Sequence, residues 1–228
     1  MAAVDGRRGI DAADRLCEAC VTLLDIDAVA ISLVFGGANT GTVGSSSAHA
    51  RTYDELQFTL GEGPCLESVA RRAPVLVTDL ADPKDQRWPI YGPAMLDLEI
   101  RGVYAMPLLV AGEYIGAIDF FRALPGQLAG VQLAGAVLAA ELAGFPLLDL
   151  LDADLQAAVA EPGSHSWTEL NMLSRSEVSQ ATGMLVAQLR VEPTEALLRL
   201  RARAYATGRA ATDVARDILE RRLRLDAD

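Results

Sequence analysis

Between residues 175 and 225, apolar side chains recur three and four positions apart, and the recurrence is broken twice, at Pro193 and at Gly208. Such spacing lines one face of an α-helix, and proline cannot continue a helix interior. Three short helices are therefore predicted. Val178, Ala181 and Leu185 line the first, over 176–189. Thr194 serves as N-cap of the second, with Glu195 in the first turn against the positive end of the helix dipole. That helix covers 196–206 and is closed by Gly208. Thr212 and Asp213 open the third, whose Val214, Ala215, Ile218, Leu219 and Leu223 make another apolar stripe. Three helices of this length, joined by turns, can share one small core.

The outward side of the second helix narrows the chemistry. Arg199, Arg201, Arg203 and Arg209 flank Tyr205. A guanidinium offers several donors to phosphate and stacks on unpaired bases beside an aromatic ring. A solvated helix face with one half-buried tyrosine has the same composition. Charge does not choose between them, because beyond residue 165 ten arginines meet nine acids.

Residue order is more specific. Val178-x-x-Ala181-Thr182-Gly183-Met184-Leu185, then Glu195-Ala196-Leu197-x-x-Leu200-Arg201-x-x-Ala204-Tyr205, then Val214-Ala215 closely resembles the ANTAR domain, a three-helix RNA-binding module of bacterial antitermination regulators. The resemblance implies a module that, paired in a dimer, grips tandem hairpin loops of a nascent transcript and keeps polymerase from terminating. It implies RNA contacts from Gln180, Thr182, Gly183, Arg201, Arg203, Tyr205 and Arg209. Family members commonly carry lysine where Thr182 stands, so one expected phosphate contact is missing.

The 228 residues leave room for a medium domain ahead of this module. Net charge is −11, and twenty-two of the thirty-one acids lie within residues 1–165, against ten basic residues. An acidic part of that kind repels nucleic acid and leaves contact to the C-terminal module. Cys17, Cys20 and Cys65 are odd in number, and Arg7-Arg8 is not followed by an apolar run. A reducing cytoplasm is the simplest setting. Residues 128–148 are apolar enough to pass for a membrane span in composition, but Gln132, Glu141, three glycines and Pro146 argue against one.

Along the chain, 10–25 reads as a helix with Leu16, Cys20, Leu23 and Leu24 toward a core. Cys17-x-x-Cys20 has metal or redox spacing but no second pair or nearby histidine, so helix packing and no metal site is the expectation. Residues 28–35 (AVAISLVF) make a strand, bounded by Gly36-Gly37 and followed by a looser strand in a polar loop that carries His49. Residues 56–60 form a short amphipathic segment, with a tight turn and a helix over 66–71 behind it. A strand over 76–80 and a short helix over 93–98 come next. A hairpin of 102–109 and 114–121 turns at Ala111-Gly112-Glu113.

Strands at both ends with helices between them give an α+β fold built on an antiparallel sheet with helices on its faces. Gly61-Glu62-Gly63-Pro64-Cys65, residues 75–80, Met106-Pro107-Leu108 and Gly112-x-x-Ile115-Gly116-Ala117-Ile118 resemble the GAF domain over about residues 10–122. That resemblance implies a sensor domain whose pocket holds a small molecule or nothing; the sequence names no cofactor. Cys65, at a helix start that favours a thiolate, is the candidate sensing residue.

From Leu128 to Phe145 the residues Leu128, Val131, Gly135, Leu138, Leu142 and Phe145 alternate steps of three and four, the spacing of a two-helix seam. This helix pairs with its twin in a second chain or packs on its own sheet. Gly144 and Pro146 are expected to bend it before it continues over 147–159, and 161–166 to form a hinge.

The expected organisation is thus a GAF-like sensor domain (1–127), a helical, dimerising linker (128–166) and an ANTAR-like three-helix RNA-binding domain (167–228). The partners are stem-loop RNA, a second copy of the chain and a small molecule in the sensor domain, without membrane. The competing reading is a DNA-binding transcription factor, for which the basic excess of a groove binder is missing. Catalysis is not expected, because His49 and His165 both fall in loop-like stretches and no nucleophile, histidine and acid set is evident.

Overall fold

The computed structural model describes residues 9–35, 38–158 and 165–225. Its elements in chain order are α1 (Gly9–Leu24), β1 (Ala28–Phe35), β2 (Ala38–Ser45), α2 (Ala48–Leu60), α3 (Pro64–Arg71), β3 (Val75–Val77), α4 (Tyr91–Asp97), β4 (Gly102–Val110), β5 (Glu113–Arg122), α5 (Gly130–Ala158), α6 (His165–Leu189), α7 (Pro193–Ala206) and α8 (Ala211–Leu219). The strands form one five-stranded sheet in the order β2-β1-β5-β4-β3, with every neighbouring pair antiparallel.

Both faces of the sheet are covered, which explains why the central strands read as nearly continuous apolar runs instead of alternating with polar residues. Val29, Ile31, Leu33, Tyr104, Met106, Leu108, Ile118 and Phe120 turn to one face and pack on α1 and α5. Ala28, Ala30, Val103, Ala105 and Phe121 turn to the other, under α2 and α4. On that second side Val34 and Ala117 meet Cys65 from α3. The hairpin register pairs Met106 with Ile118 and closes through Ala111 and Gly112, both at positive φ. Two successive left-handed residues suit the twist of a two-residue hairpin.

The Gly61–Cys65 turn joins three helices. Gly61, at φ 71, caps α2 in the left-handed region and donates its N–H to the Gln57 carbonyl. Glu62 reaches the start of α4, where its carboxylate accepts from the N–H groups of Ile90 (2.7 Å) and Tyr91 (2.8 Å). Gly63 stands at φ 144, and a Cβ there would fall 2.4 Å from Gln57 Oε1. Glycine therefore leaves room for Gln57 to accept the Cys65 N–H at 2.8 Å.

Several expectations need correction. Leu23 faces outward at 77% exposure, and Cys17, not Leu23, completes the buried side of α1 with Leu16, Cys20 and Leu24. Residues 48–50, expected in a polar loop, are the first turn of α2, started by Ser47 accepting from the Ala50 N–H. His49 is therefore on a helix, stacked near Tyr53. His165 opens α6. β3 stops at Val77, short of Leu80. The N-cap of α7 is Glu192 with Pro193 at the first helical position, so Thr194 lies inside the helix.

Helix α5 runs through Pro146, which has no N–H to give the preceding turn. Ala136, Ala139, Ala143 and Leu147 bury against the sheet. The other side shows Val131 (84% exposed), Leu138 (53%) and Phe145 (65%), seven residues apart. Of the expected seam, Leu128 is buried in the protomer's own core, Leu142 packs against that core and Gly135 lies against Leu24, so only Val131, Leu138 and Phe145 remain exposed. Segment Gly130–Leu148 is long and apolar enough by composition to cross a bilayer, and one third of it is buried in the protein. The centre of the expected hinge, 161–164, and the end of the expected continuation at Val159 lie outside the described residues.

Candidate nucleic-acid interface

Helices α6, α7 and α8 share a core of Val178, Ala181, Leu185, Leu189, Ala196, Leu200, Ala204, Ala211, Val214, Ala215 and Ile218; periodicity predicts 178, 181, 185, 214, 215 and 218 of these, and Leu219 and Leu223 are partly buried at its edge. One further residue joins it from outside: Phe58 of α2, 5% exposed. The module is therefore docked on the sheet domain. Three polar contacts reinforce the joint: the Ala211 N–H donates to Thr59 Oγ1 at 3.3 Å, Thr212 bonds Glu55, and the Arg201 guanidinium lies over the Phe58 ring, 4.4 Å from its centroid.

Helix geometry separates the residues that sequence reading grouped. With roughly 100° per residue, Arg201 and Tyr205 fall on one flank of the buried 196-200-204 stripe, and Arg199 and Arg203 on the other. The first flank faces α2. Tyr205 is 60% exposed and, with Arg209, lines a cleft of about 590 Å³ whose opposite walls include Glu55, Asp97 and Leu98. Carboxylates there would repel a phosphate chain. Arg209 bonds Asp217 at 2.7 Å, and the Arg209 and Arg222 guanidinia hold the Asp217 carboxyl below the usual carboxylate range. Of the expected RNA contacts, then, Arg201 and Arg209 are engaged within the protein.

The remaining residues of that set divide differently. Arg203, Gln180 and Gly183 are exposed, and Thr182 is half-buried with its hydroxyl donating to the Val178 carbonyl at 2.7 Å. Gln180, Gly183, Met184 and Ala187 make one outward stripe on α6. Met184 and Ala187 lead into a groove of about 610 Å³ closed by Gln188, Ile218, Arg221, Leu223 and Arg224. Arg221 and Arg224 are not among the expected contacts: the apolar stripe is read through Leu223, whereas α8 ends at Leu219 and both arginines lie beyond it.

Ion pairing changes the meaning of the near-neutral charge count. Arg199 bonds Glu195 (2.8 Å), Arg216 bonds Glu177 (3.2 Å), and Arg222 pairs with Asp217 and Glu220. Among the described residues, Arg190, Arg203, Arg221 and Arg224 are exposed and have no carboxylate within 4.0 Å. The module thus presents local positive charge despite its neutral sum.

Gly183 offers a test of site against scaffold. A Cβ there would meet nothing within 4 Å, and alanine is a better helix former by about 1 kcal/mol. Gly183→Ala is expected to leave the thermal midpoint unchanged or raised; a clear fall in calorimetry would show that the position serves the fold.

In the sheet domain, Cys65 is fully buried at the start of α3, so only a species that enters the interior can reach its thiol. Cys17 and Cys20 are buried in the core beside the sheet, and burial pushes the Cys20 thiol up to about 11. Asp119 on β5 is fully buried; burial and the neighbouring Asp54 push its carboxyl well above the usual range, against the opposing Gln57 hydrogen bond.

Comparison with known proteins accounts for both parts. A family model described as GAF domain matches residues 10–145, and one described as ANTAR domain matches residues 168–219. No curated protein matches the chain. The GAF domain of a phosphoenolpyruvate-protein phosphotransferase from Coxiella burnetii is similar with a TM-score of 0.50 at 15% identity, over 68% of this chain and 90% of that one. A domain of a two-component sensor histidine kinase protein from Sinorhizobium meliloti 1021 gives 0.49 at 19% identity, over 68% and 96%.

Proposed function

Because the chain belongs to the GAF domain family and carries an ANTAR domain behind it, we propose that it is a signal-responsive antitermination regulator that binds tandem hairpins of nascent RNA. GAF domains are sensors and ANTAR domains bind RNA, so neither part calls for catalysis. The proposed division is a sensor domain over 1–127, a dimerising linker over 128–166 and an RNA-binding domain over 167–228, acting in the cytoplasm.

The observation that carries this reading is the bare α6 stripe with Arg221 and Arg224 beside it, neither of which has a carboxylate within 4.0 Å among the described residues. Arg221 and Arg224 edge the groove into which Met184 and Ala187 lead, and Gly183 on the same stripe leaves space for a close approach. Guanidinia beside a groove suit phosphates of a looped strand, and a module with so few net charges is poorly equipped for duplex DNA. The docked Arg201 flank supports the control part: a segment held against the sensor domain can be withheld from RNA until the two separate. An exposed stripe of Val131, Leu138 and Phe145 supports pairing through α5.

The test compares a two-hairpin RNA with duplex DNA at one stated salt concentration. The RNA is expected to bind more tightly. Arg203→Ala and Arg221→Ala should each weaken it about tenfold, since one such contact is worth roughly 1–3 kcal/mol. An unchanged affinity in both variants, with circular dichroism intact, would remove these residues from the interface. Preference for the duplex would favour the transcription-factor reading.

A further inference from the structure

Under the sheet, three elements send oxygen and sulfur atoms to one buried place. Asp54 of α2, Cys65 of α3 and Asp119 of β5 each offer a ligand atom within 4.8 Å of the other two, and all three side chains are buried. Ser32 and Thr42 donate to Asp54. Gln57 donates to Asp119 Oδ2 at 2.6 Å and accepts from the Cys65 N–H at 2.8 Å, fixing two of the three groups to each other.

Two atoms are left over. Asp119 Oδ1 and the Tyr91 hydroxyl are fully buried, and neither has a hydrogen-bond partner among the described residues. Tyr91 begins α4, and burial, with the added charge of Asp119, Asp54 and Cys65, pushes its hydroxyl well above the usual range. Packing alone does not explain the arrangement. Two carboxylates in one dry site repel each other, and an unsatisfied buried polar atom costs about 1–3 kcal/mol.

We propose that Asp54, Cys65 and Asp119 bind one divalent transition-metal ion of the zinc, cobalt(II) and iron(II) class. A sulfur ligand disfavours magnesium and calcium, which take oxygen shells. Three protein ligands with a fourth position open are the pattern of a reactive, not a purely structural, site. Ligand atoms around one such ion stand roughly 3–4 Å apart, so side-chain adjustment closes the site without moving the helices. Gln57 then orients a carboxylate and the backbone of the thiolate at once, as outer partners of metal ligands do. The assignment deepens the sensor reading by naming the ligand class, but it stands on residues of the GAF domain alone.

The experiment strips the full chain with a chelator under reducing conditions and titrates it with cobalt(II), reading visible absorption and RNA binding in parallel. One equivalent per chain is expected, with a sulfur-to-cobalt charge-transfer band. Cys65→Ser should abolish that band, and Asp119→Asn should weaken uptake at least tenfold, with circular dichroism monitoring the fold. Absence of stoichiometric uptake by the unaltered chain, or a band that survives in Cys65→Ser, overturns the site. Cobalt uptake with no RNA binding under any condition would instead overturn the antitermination reading and leave the metal site standing.

Discussion

Placing glutamate at both Leu138 and Phe145 is expected to weaken the self-association proposed through α5 more than 100-fold, without loss of fold. The two faces of α5 are differently committed. Ala136, Ala139, Ala143 and Leu147 are committed to the sheet, so their side of the helix belongs to the protomer's own core. Leu138 and Phe145 are 53% and 65% exposed, and with Val131 they repeat every seven residues, the interval that keeps apolar side chains on one line between paired helices. In a two-fold pair both copies bring the same stripe to the seam, so four carboxylates would enter one apolar interface. Each side chain buried in such a seam contributes roughly 1.5–3 kcal/mol, so losing four of them exceeds the 2.7 kcal/mol or so that a 100-fold change represents. Sedimentation velocity measures the outcome. A dimer that persists at the same concentration would show that the stripe is not the seam.

The legible parts of this fold are those where local pattern and final burial coincide. β1, β4 and β5 could be found from apolar density because both faces of the sheet are covered, and the α6–α8 core from a local repeat to which α2 adds only Phe58. Helix α2 was less visible. Its sequence Ala-His-Ala-Arg-Thr-Tyr-Asp-Glu has no strong apolar stripe, because the side facing the sheet carries Asp54 and Gln57, which are buried for their hydrogen bonds. A polar residue needed inside looks, in one sequence, like one needed outside. The same ambiguity hid the meeting of Asp54, Cys65 and Asp119, which lie on three elements and are joined only by topology. Arg201 is the matching case at the surface: its guanidinium chemistry suits RNA, but the ring that it covers is Phe58, 143 positions earlier in the chain.

Phe58 is therefore the residue whose truncation should have the largest effect on control. Phe58→Ala removes a ring that is 5% exposed, packed into the apolar cluster of α6–α8 and covered by Arg201. Truncation of a buried phenylalanine costs about 3–5 kcal/mol. The C-terminal core keeps Leu185, Leu200, Val214 and Ile218 without it, and the sheet keeps both of its own faces. The loss therefore falls on the joint between the two. Hydrogen exchange should rise at α2 residues 55–59 while the amides of α6 and α8 stay protected. Separation also takes Tyr205 and Arg209 away from Glu55 and Asp97, so RNA affinity is expected to rise at least tenfold at fixed salt. Arg201→Ala then distinguishes docking from recognition. If Arg201 both holds the joint and contacts RNA, the double variant should bind below Phe58→Ala alone, a coupling that a mutant cycle measures. If the single Phe58 variant opens the joint by hydrogen exchange and binds RNA no better, the docked flank does not restrain recognition, and control must pass through the pairing of α5 alone.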